Sequence, residues 1–243
     1  VSAAGRNLAG AERHVDDFYA TPSWATRAIL PHVGWIKPSN GCASILDPCC
    51  GDGAIFRAVY TEGAWLETHG MKAPPLRGFE IDETRTLDAR HESIAVVERR
   101  DALAAGSWGR PELILTNPPY ALAMAFVQRA LLEVAPGGDV AMLLRLPWLA
   151  SQERAPFHRA NPSDVYVLPK RPSFVEHLKW KHERCVALVL GNGKGKAQRC
   201  QLEARHDGDC RTLGTDATDY MWAVWGPGRG NRWFILEVEG GAS

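Results

Sequence analysis

The chain has no excess charge of either sign. Lys and Arg number 28, Asp and Glu also 28, and the formal net charge is zero. That excludes a surface coated in basic charge, though not a local basic face. No uninterrupted apolar run approaches the ~18 residues of a membrane span. The opening stretch, Val1 to Arg6, lacks the apolar core of a signal peptide. Cysteine is sparse, at six, and irregularly spaced. A chain of 243 residues needs no disulfide framework, so a reducing, cytoplasmic setting is expected. No internal repeat marks a solenoid. What is left is an ordinary globular composition, 45% hydrophobic and 23% charged. The length suits one large domain, or one domain with an insertion.

Apolar runs and turn residues alternate along the chain. The first twenty or so residues are polar and mixed, and read as an arm. Pro22 precedes a helical pattern from Ser23 to Leu30. Short strands are expected at Ala43 to Asp47, Leu76 to Ile81, Ala95 to Glu98, Leu113 to Thr116 and Val140 to Leu144. Helices are expected at Ala54 to Tyr60 and Ala121 to Glu133, and a further strand at Asp164 to Leu168. Strands alternating with helices predict a doubly wound α/β domain. From about Pro169 the composition shifts. Between Glu153 and Arg211 there are twelve Lys or Arg against seven Asp or Glu. The last part, Asp219 to Trp225 and Arg232 to Glu237, reads as a hairpin around Gly226-Pro227-Gly228.

Four strand ends carry groups with chemical potential. Asp47-Pro48-Cys49-Cys50-Gly51-Asp52-Gly53 follows the first strand and opens a helix. Gly51 and Gly53 let the backbone turn tightly and approach a ligand. The third glycine of a dinucleotide fingerprint is absent, with Phe56 in its place, which argues against a pyrophosphate cradle. Glu80 ends the second strand, where an acidic side chain can grip a ribose diol. Asp101 follows the third strand, where it can accept from an adenine amino group or cap a helix. Asn117-Pro118-Pro119-Tyr120 follows the fourth. Neither proline can donate to a sheet ladder, so the strand stops there and holds an amide and a ring on stiff backbone. Ligands of such sheets bind outside the carboxyl ends of the strands.

Taken together, these motifs resemble the S-adenosylmethionine-dependent amino-methyltransferases of DNA, specifically the N6-adenine type. The resemblance rests on Asp47 to Gly53, Gly78-Phe79-Glu80-Ile81-Asp82, Asp101-Ala102-Leu103 and Asn117 to Tyr120, with Phe18-Tyr19-Ala20-Thr21-Pro22 as a separate N-terminal cofactor motif. It covers residues 17–174, with the cofactor motifs first. It implies a Rossmann-like methyltransferase fold: a seven-stranded, mostly parallel sheet, helices on both faces, and a small C-terminal insertion. It implies S-adenosylmethionine as cofactor, held by Tyr19, Thr21, Pro22, Asp47, Pro48, Gly51, Gly53, Glu80, Ile81, Asp101, Ala102 and Asn117. It assigns catalysis to Asn117, Pro118, Pro119, Tyr120 and Phe174. Phe174 would sit beside the flipped base; a core phenylalanine is the other reading. An exocyclic amine is a poor nucleophile because its lone pair is delocalised. The Asn117 side-chain oxygen and the Pro118 carbonyl would each accept one of its N–H groups, and Tyr120 would offer a stacking face to a base drawn out of the duplex.

No recognition module fits between Asp47 and Asn117, so one is expected later. The division expected is a catalytic domain over 1–174 and 213–243, with a basic insertion over 175–212. Cys200, His206 and Cys210 lie within that insertion, with Cys185 or His182 as a fourth candidate ligand. Zinc takes four S or N ligands and would stabilise a small polar segment; unliganded thiols are the alternative. The expected partner is DNA, with no membrane and no obligatory protein partner, in a bacterial or phage-infected cytoplasm. Two other readings compete. One changes the substrate to RNA or to a protein glutamine amide. The other is a nucleic-acid-binding module with an idle fold, against which intact Asn117 and Tyr120 speak.

Overall fold

The computed structural model describes residues 20–36, 42–67, 74–91, 94–172, 188–189, 198–199 and 218–237. Its centre is an eight-stranded sheet. The strands are β1 (Ile45–Asp47), β2 (Leu76–Glu80), β3 (Val96–Arg99), β4 (Leu113–Thr116), β5 (Asp139–Arg145) and β6 (Asp164–Val167), with β9 (Tyr220–Trp225) and β10 (Trp233–Ile235). Two short strands, β7 (Leu188–Val189) and β8 (Gln198–Arg199), pair antiparallel with each other in a separate sheet. The order across the main sheet is β10-β6-β9-β5-β4-β1-β2-β3. Only β9 runs against its neighbours, antiparallel to both β5 and β6.

Side chains alternate between two cores. Ile45, Leu113, Leu115 and Leu143 face one layer, with Ile29 of α1 (Ser23–Ile29), Phe56 and Val59 of α2 (Ala54–Glu67) and Ala89 of α3 (Glu83–His91). Leu46, Ile114, Met142 and Leu144 face the other, with Phe126, Val127 and Ala130 of α4 (Ala123–Glu133) and, at its margin, Phe157 of α5 (Ala155–Ala160). Because both faces are covered, β4 is buried at all four positions, as a central parallel strand must be. The expected strands and helices at the site are all present. Helix α3 carries no apolar stripe; the Asp82 carboxylate caps it, accepting the Arg85 N–H at 2.9 Å.

Strand β10 corrects two expectations. It is an eighth strand, and it does not form a hairpin with β9. It pairs parallel with β6, which lies between the two. The cause is electrostatic. The chain leaving β9 carries Arg229 and Arg232 beneath the start of β6. There the fully buried Asp164 carboxylate meets Arg232 Nη2 at 2.6 Å and the Gly230 N–H at 3.0 Å. Burial alone would raise the Asp164 pKa, but the Arg232 guanidinium and the Gly230 and Arg232 N–H groups outweigh it and hold it near 2. Arg229 bonds Asp139 at 2.8 Å in the same cluster.

The order of the strands locates the crevice. From β1 the chain moves outward to β2 and β3, then returns to the other side of β1 with β4. The reversal falls between β1 and β4, where the segments after both strands can splay apart. Close packing under this point depends on Gly78 of β2. A Cβ there would lie 2.7 Å from the Phe56 ring and 2.8 Å from Cys50 Sγ. Gly78→Ala is therefore expected to cost about 1–3 kcal/mol by overpacking. Urea unfolding measures it, and a stability equal to the parent's would show that Phe56 can move aside freely.

Candidate active site

A cleft with a cavity volume of about 140 Å³ opens at the reversal point. Its lining comes from every segment the sheet topology points there: Thr21 ahead of α1, Asp47 to Cys50 at the end of β1, Glu80 and Ile81 at the end of β2, Asp101 to Leu103 after β3, and Asn117 and Pro119 after β4. Gly51 and Gly53, at φ +54° and +86°, turn the loop after β1 into α2.

Glu80 joins two of these loops. One carboxylate oxygen accepts the Gly51 N–H at 3.0 Å and the other accepts the Asp82 N–H at 2.8 Å. Arg85 Nε stands 3.9 Å away. Asp47 joins two more segments. Its Oδ1 accepts the Thr116 hydroxyl at 2.6 Å and the Cys49 N–H at 3.0 Å. Burial pushes the Asp47 carboxyl up to about 7, against the pull of those two hydrogen bonds and with a further push from the Glu80 charge. Burial also pushes the Cys49 and Cys50 thiols well up, which makes them poor nucleophiles at neutral pH.

Asn117 is positioned from the opposite side. Its Nδ2 donates to Thr21 Oγ1 at 3.1 Å. Thr21 leads into α1, and the Trp222 indole of β9 donates to Ala25 O of that helix at 2.9 Å, which fixes the helix to the sheet. Pro118 is buried, while Pro119 and Asn117 line the cleft. Tyr120 begins a 3₁₀ turn over Tyr120–Leu122. Its ring lies 5.7 Å from the Tyr220 ring, and the Arg145 guanidinium carbon is 4.7 Å from its centroid.

Of the residues singled out in the sequence, Thr21, Asp47, Pro48, Glu80, Ile81, Asp101, Ala102, Asn117 and Pro119 share this one cleft. Pro22, Gly51, Gly53, Pro118 and Tyr120 belong to the same segments without lining it. Tyr19, Phe174, Cys185, Cys200, His206 and Cys210 fall outside the described residues. Among the described residues no cluster of three or more His, Cys, Asp or Glu could hold a metal, and no helix is long and apolar enough to cross a membrane. The motifs did not reveal Arg85, Arg100, Leu122 and Phe126, which also line the cleft. Arg85 was detectable in principle, three residues beyond the capping Asp82 and one turn from Glu80. The Arg100 guanidinium lies 4.3 Å over the Phe79 ring, a contact without a sequence signal.

No family model matches the chain, and no curated protein matches it in sequence. Solved structures match its fold. A candidate class I S-adenosylmethionine-dependent methyltransferase from Listeria monocytogenes superposes with a TM-score of 0.62 at 15% identity, over 92% of this chain and 67% of that one. The 23S rRNA methyltransferase ErmE gives 0.52 at 12% identity, over 88% of this chain and 71% of its own. A predicted O-methyltransferase from Agrobacterium tumefaciens gives 0.51 at 14% identity, over 88% and 84%. The fold is the Rossmann-like methyltransferase fold, with a mostly parallel sheet flanked by helices.

The raised Asp47 pKa makes a prediction about pH. The folded state holds this proton more tightly than the unfolded chain, whose carboxyl titrates near 3.8. The resulting stabilisation is complete below about pH 4 and is lost as pH rises through about 7, at up to roughly 1.4 kcal/mol per pH unit. Asp47→Asn mimics the neutral form and should abolish that decline. Urea unfolding of both proteins at about pH 5 and pH 8 tests this. An equal loss of stability in the variant would assign the titration to another group.

Proposed function

We propose that the chain transfers a methyl group from S-adenosylmethionine to the N6 amino group of adenine in DNA. The observation that carries this reading is the cleft itself. A carboxamide on a rigid strand end shares it with an acidic residue that ends β2 and another after β3, at the reversal point of a methyltransferase fold.

The residues fit the cofactor. The Glu80 carboxylate, fixed by the Gly51 and Asp82 N–H groups, would receive the ribose hydroxyls. Ile81, Ala102, Leu103 and Phe126 supply apolar lining for a purine ring, and Asp101 an acceptor for its amino group. Thr21, Pro22 and Tyr19 with the Asp47-Pro48 and Gly51 to Gly53 loop would hold the methionine end. The cofactor supplies a methyl group already activated on a cationic sulfonium, so the chain need not polarise it.

The chain's task is the amine. Asn117 Oδ1 and the Pro118 carbonyl accept its two N–H groups, which biases the nitrogen toward a pyramidal, nucleophilic state. The bond from Asn117 Nδ2 to Thr21 fixes which branch of the amide presents oxygen. Tyr120, with Phe174, would receive the base. Recognition of DNA is assigned to the basic insertion over 175–212, with Cys185, Cys200, His206 and Cys210 as its proposed zinc ligands.

Incubation with labelled S-adenosylmethionine and unmethylated DNA, RNA or bulk protein tests the reading. Label is expected on adenine N6 of DNA; label confined to RNA or protein, or absent, would overturn it. Asn117→Ala should abolish transfer while costing far less in cofactor affinity, because the partner that matters most is the amine in the transition state. Appreciable turnover at saturating substrate would remove Asn117 from the mechanism. Glu80→Gln should weaken S-adenosylhomocysteine binding about tenfold or more, as loss of a hydrogen bond to a charged group does. Calorimetry reads this, and unchanged affinity would remove Glu80 from the cofactor site.

A further inference from the structure

Arg145 lies over the ring of Tyr120, the side chain that the proposed function offers to the target base. It is the last residue of β5 and is paired with Tyr220 of β9. Its Nε donates to the Tyr220 hydroxyl at 3.3 Å, which holds the guanidinium over Tyr120 at 4.7 Å from the ring centroid. The Tyr120 ring is thus flanked by Tyr220 and by Arg145. A planar cation on an aromatic face and a nucleobase on the same face gain comparable energies. Exchange of one for the other is therefore close to balanced. Arg145 that leaves the ring does not lose a partner, because a guanidinium is well matched to a phosphate. The same rim of the sheet repeats the motif after β6, where Lys170 lies 4.7 Å over the Trp24 ring.

We propose that Arg145 is a nucleotide-gating residue: it covers the Tyr120 ring in the free protein, yields that face to the incoming base, and binds a backbone phosphate beside it. This rests on the reading of the chain as a nucleic-acid methyltransferase.

The test uses the full chain with S-adenosylhomocysteine bound and a fluorescein-labelled, adenine-containing single-stranded DNA 20-mer as probe. Fluorescence anisotropy is followed across a salt series. Arg145→Ala should weaken probe binding about tenfold and flatten the salt slope by about 0.7, the signature of one lost phosphate contact on a single strand. Arg145→Lys should restore the slope. Arg145→Gln, which keeps a donor for Tyr220 without charge, should behave like Arg145→Ala and serves if that variant does not fold. S-adenosylhomocysteine affinity should be unchanged in all three.

Parental affinity and slope in the Ala and Gln variants would overturn the gate while leaving the proposed function standing. Loss of S-adenosylhomocysteine binding in step with loss of probe binding would overturn it too, in favour of a structural role. A parent protein that methylates protein but no nucleic acid, and does not bind the probe, would overturn both the function and the gate.

Discussion

A single buried carboxylate holds the mouth of the cleft together. Glu80 is 7% exposed, and each of its oxygens accepts a backbone N–H from a different loop. Neither the β1 loop nor the β2 loop has a ladder to satisfy these donors, since both have left the sheet. A buried N–H without an acceptor is costly, so the two loops and the carboxylate are mutually required. This constraint reaches downward as well. The β1 loop can sit this close to β2 only because Gly78 leaves room for Cys50 and Phe56. The tight spot in the packing and the fixed acceptor at the surface are consequences of one approach between two strands.

Three buried aspartates of the sheet, Asp139, Asp164 and Asp47, are satisfied by different partners. At the amino end of β5 and β6, Asp139 and Asp164 are buried but matched by Arg229 and Arg232, and Asp164 stays ionised well into acid. There charge serves to route the chain, carrying β10 past β9 to the far side of β6. At the carboxyl end, Asp47 is buried with a hydroxyl and an N–H for partners rather than a cation, and it keeps its proton to about pH 7. A hydrogen bond to Thr116 links the two strands at the point where their loops separate and leaves the space above open.

What was legible in the sequence was whatever is determined locally. Leu113 to Thr116 could be read as a strand because an apolar run meets two prolines, and the structure ends the strand at Thr116. The candidate residues from Thr21 to Pro119 converge because each follows a strand, and strand ends in a parallel sheet converge. What was not legible depends on distant partners. Helix α3 offers few apolar residues, and among its described side chains only Thr86 and Ala89 are buried. The partner of β10 is chosen by residues on β6, far away in sequence. The cover on Tyr120 comes from Arg145, which in the sequence is only a basic residue closing an apolar run.

The chemistry proposed for the cleft calls for orientation more than for a shifted pKa. An amide oxygen titrates in no accessible range, so what Asn117 can contribute depends on where it points. Three features set that direction. Strand β4 is buried on both faces and cannot slide without turning its side chains out of both cores. Pro118 and Pro119 stiffen the chain immediately beyond the side chain. Thr21, anchored through α1 to Trp222, takes the amide nitrogen. The N-terminal helix is therefore part of the site: it joins the β9 side of the sheet to the acceptor at the end of β4, and a shift of either would be felt at the Asn117 amide.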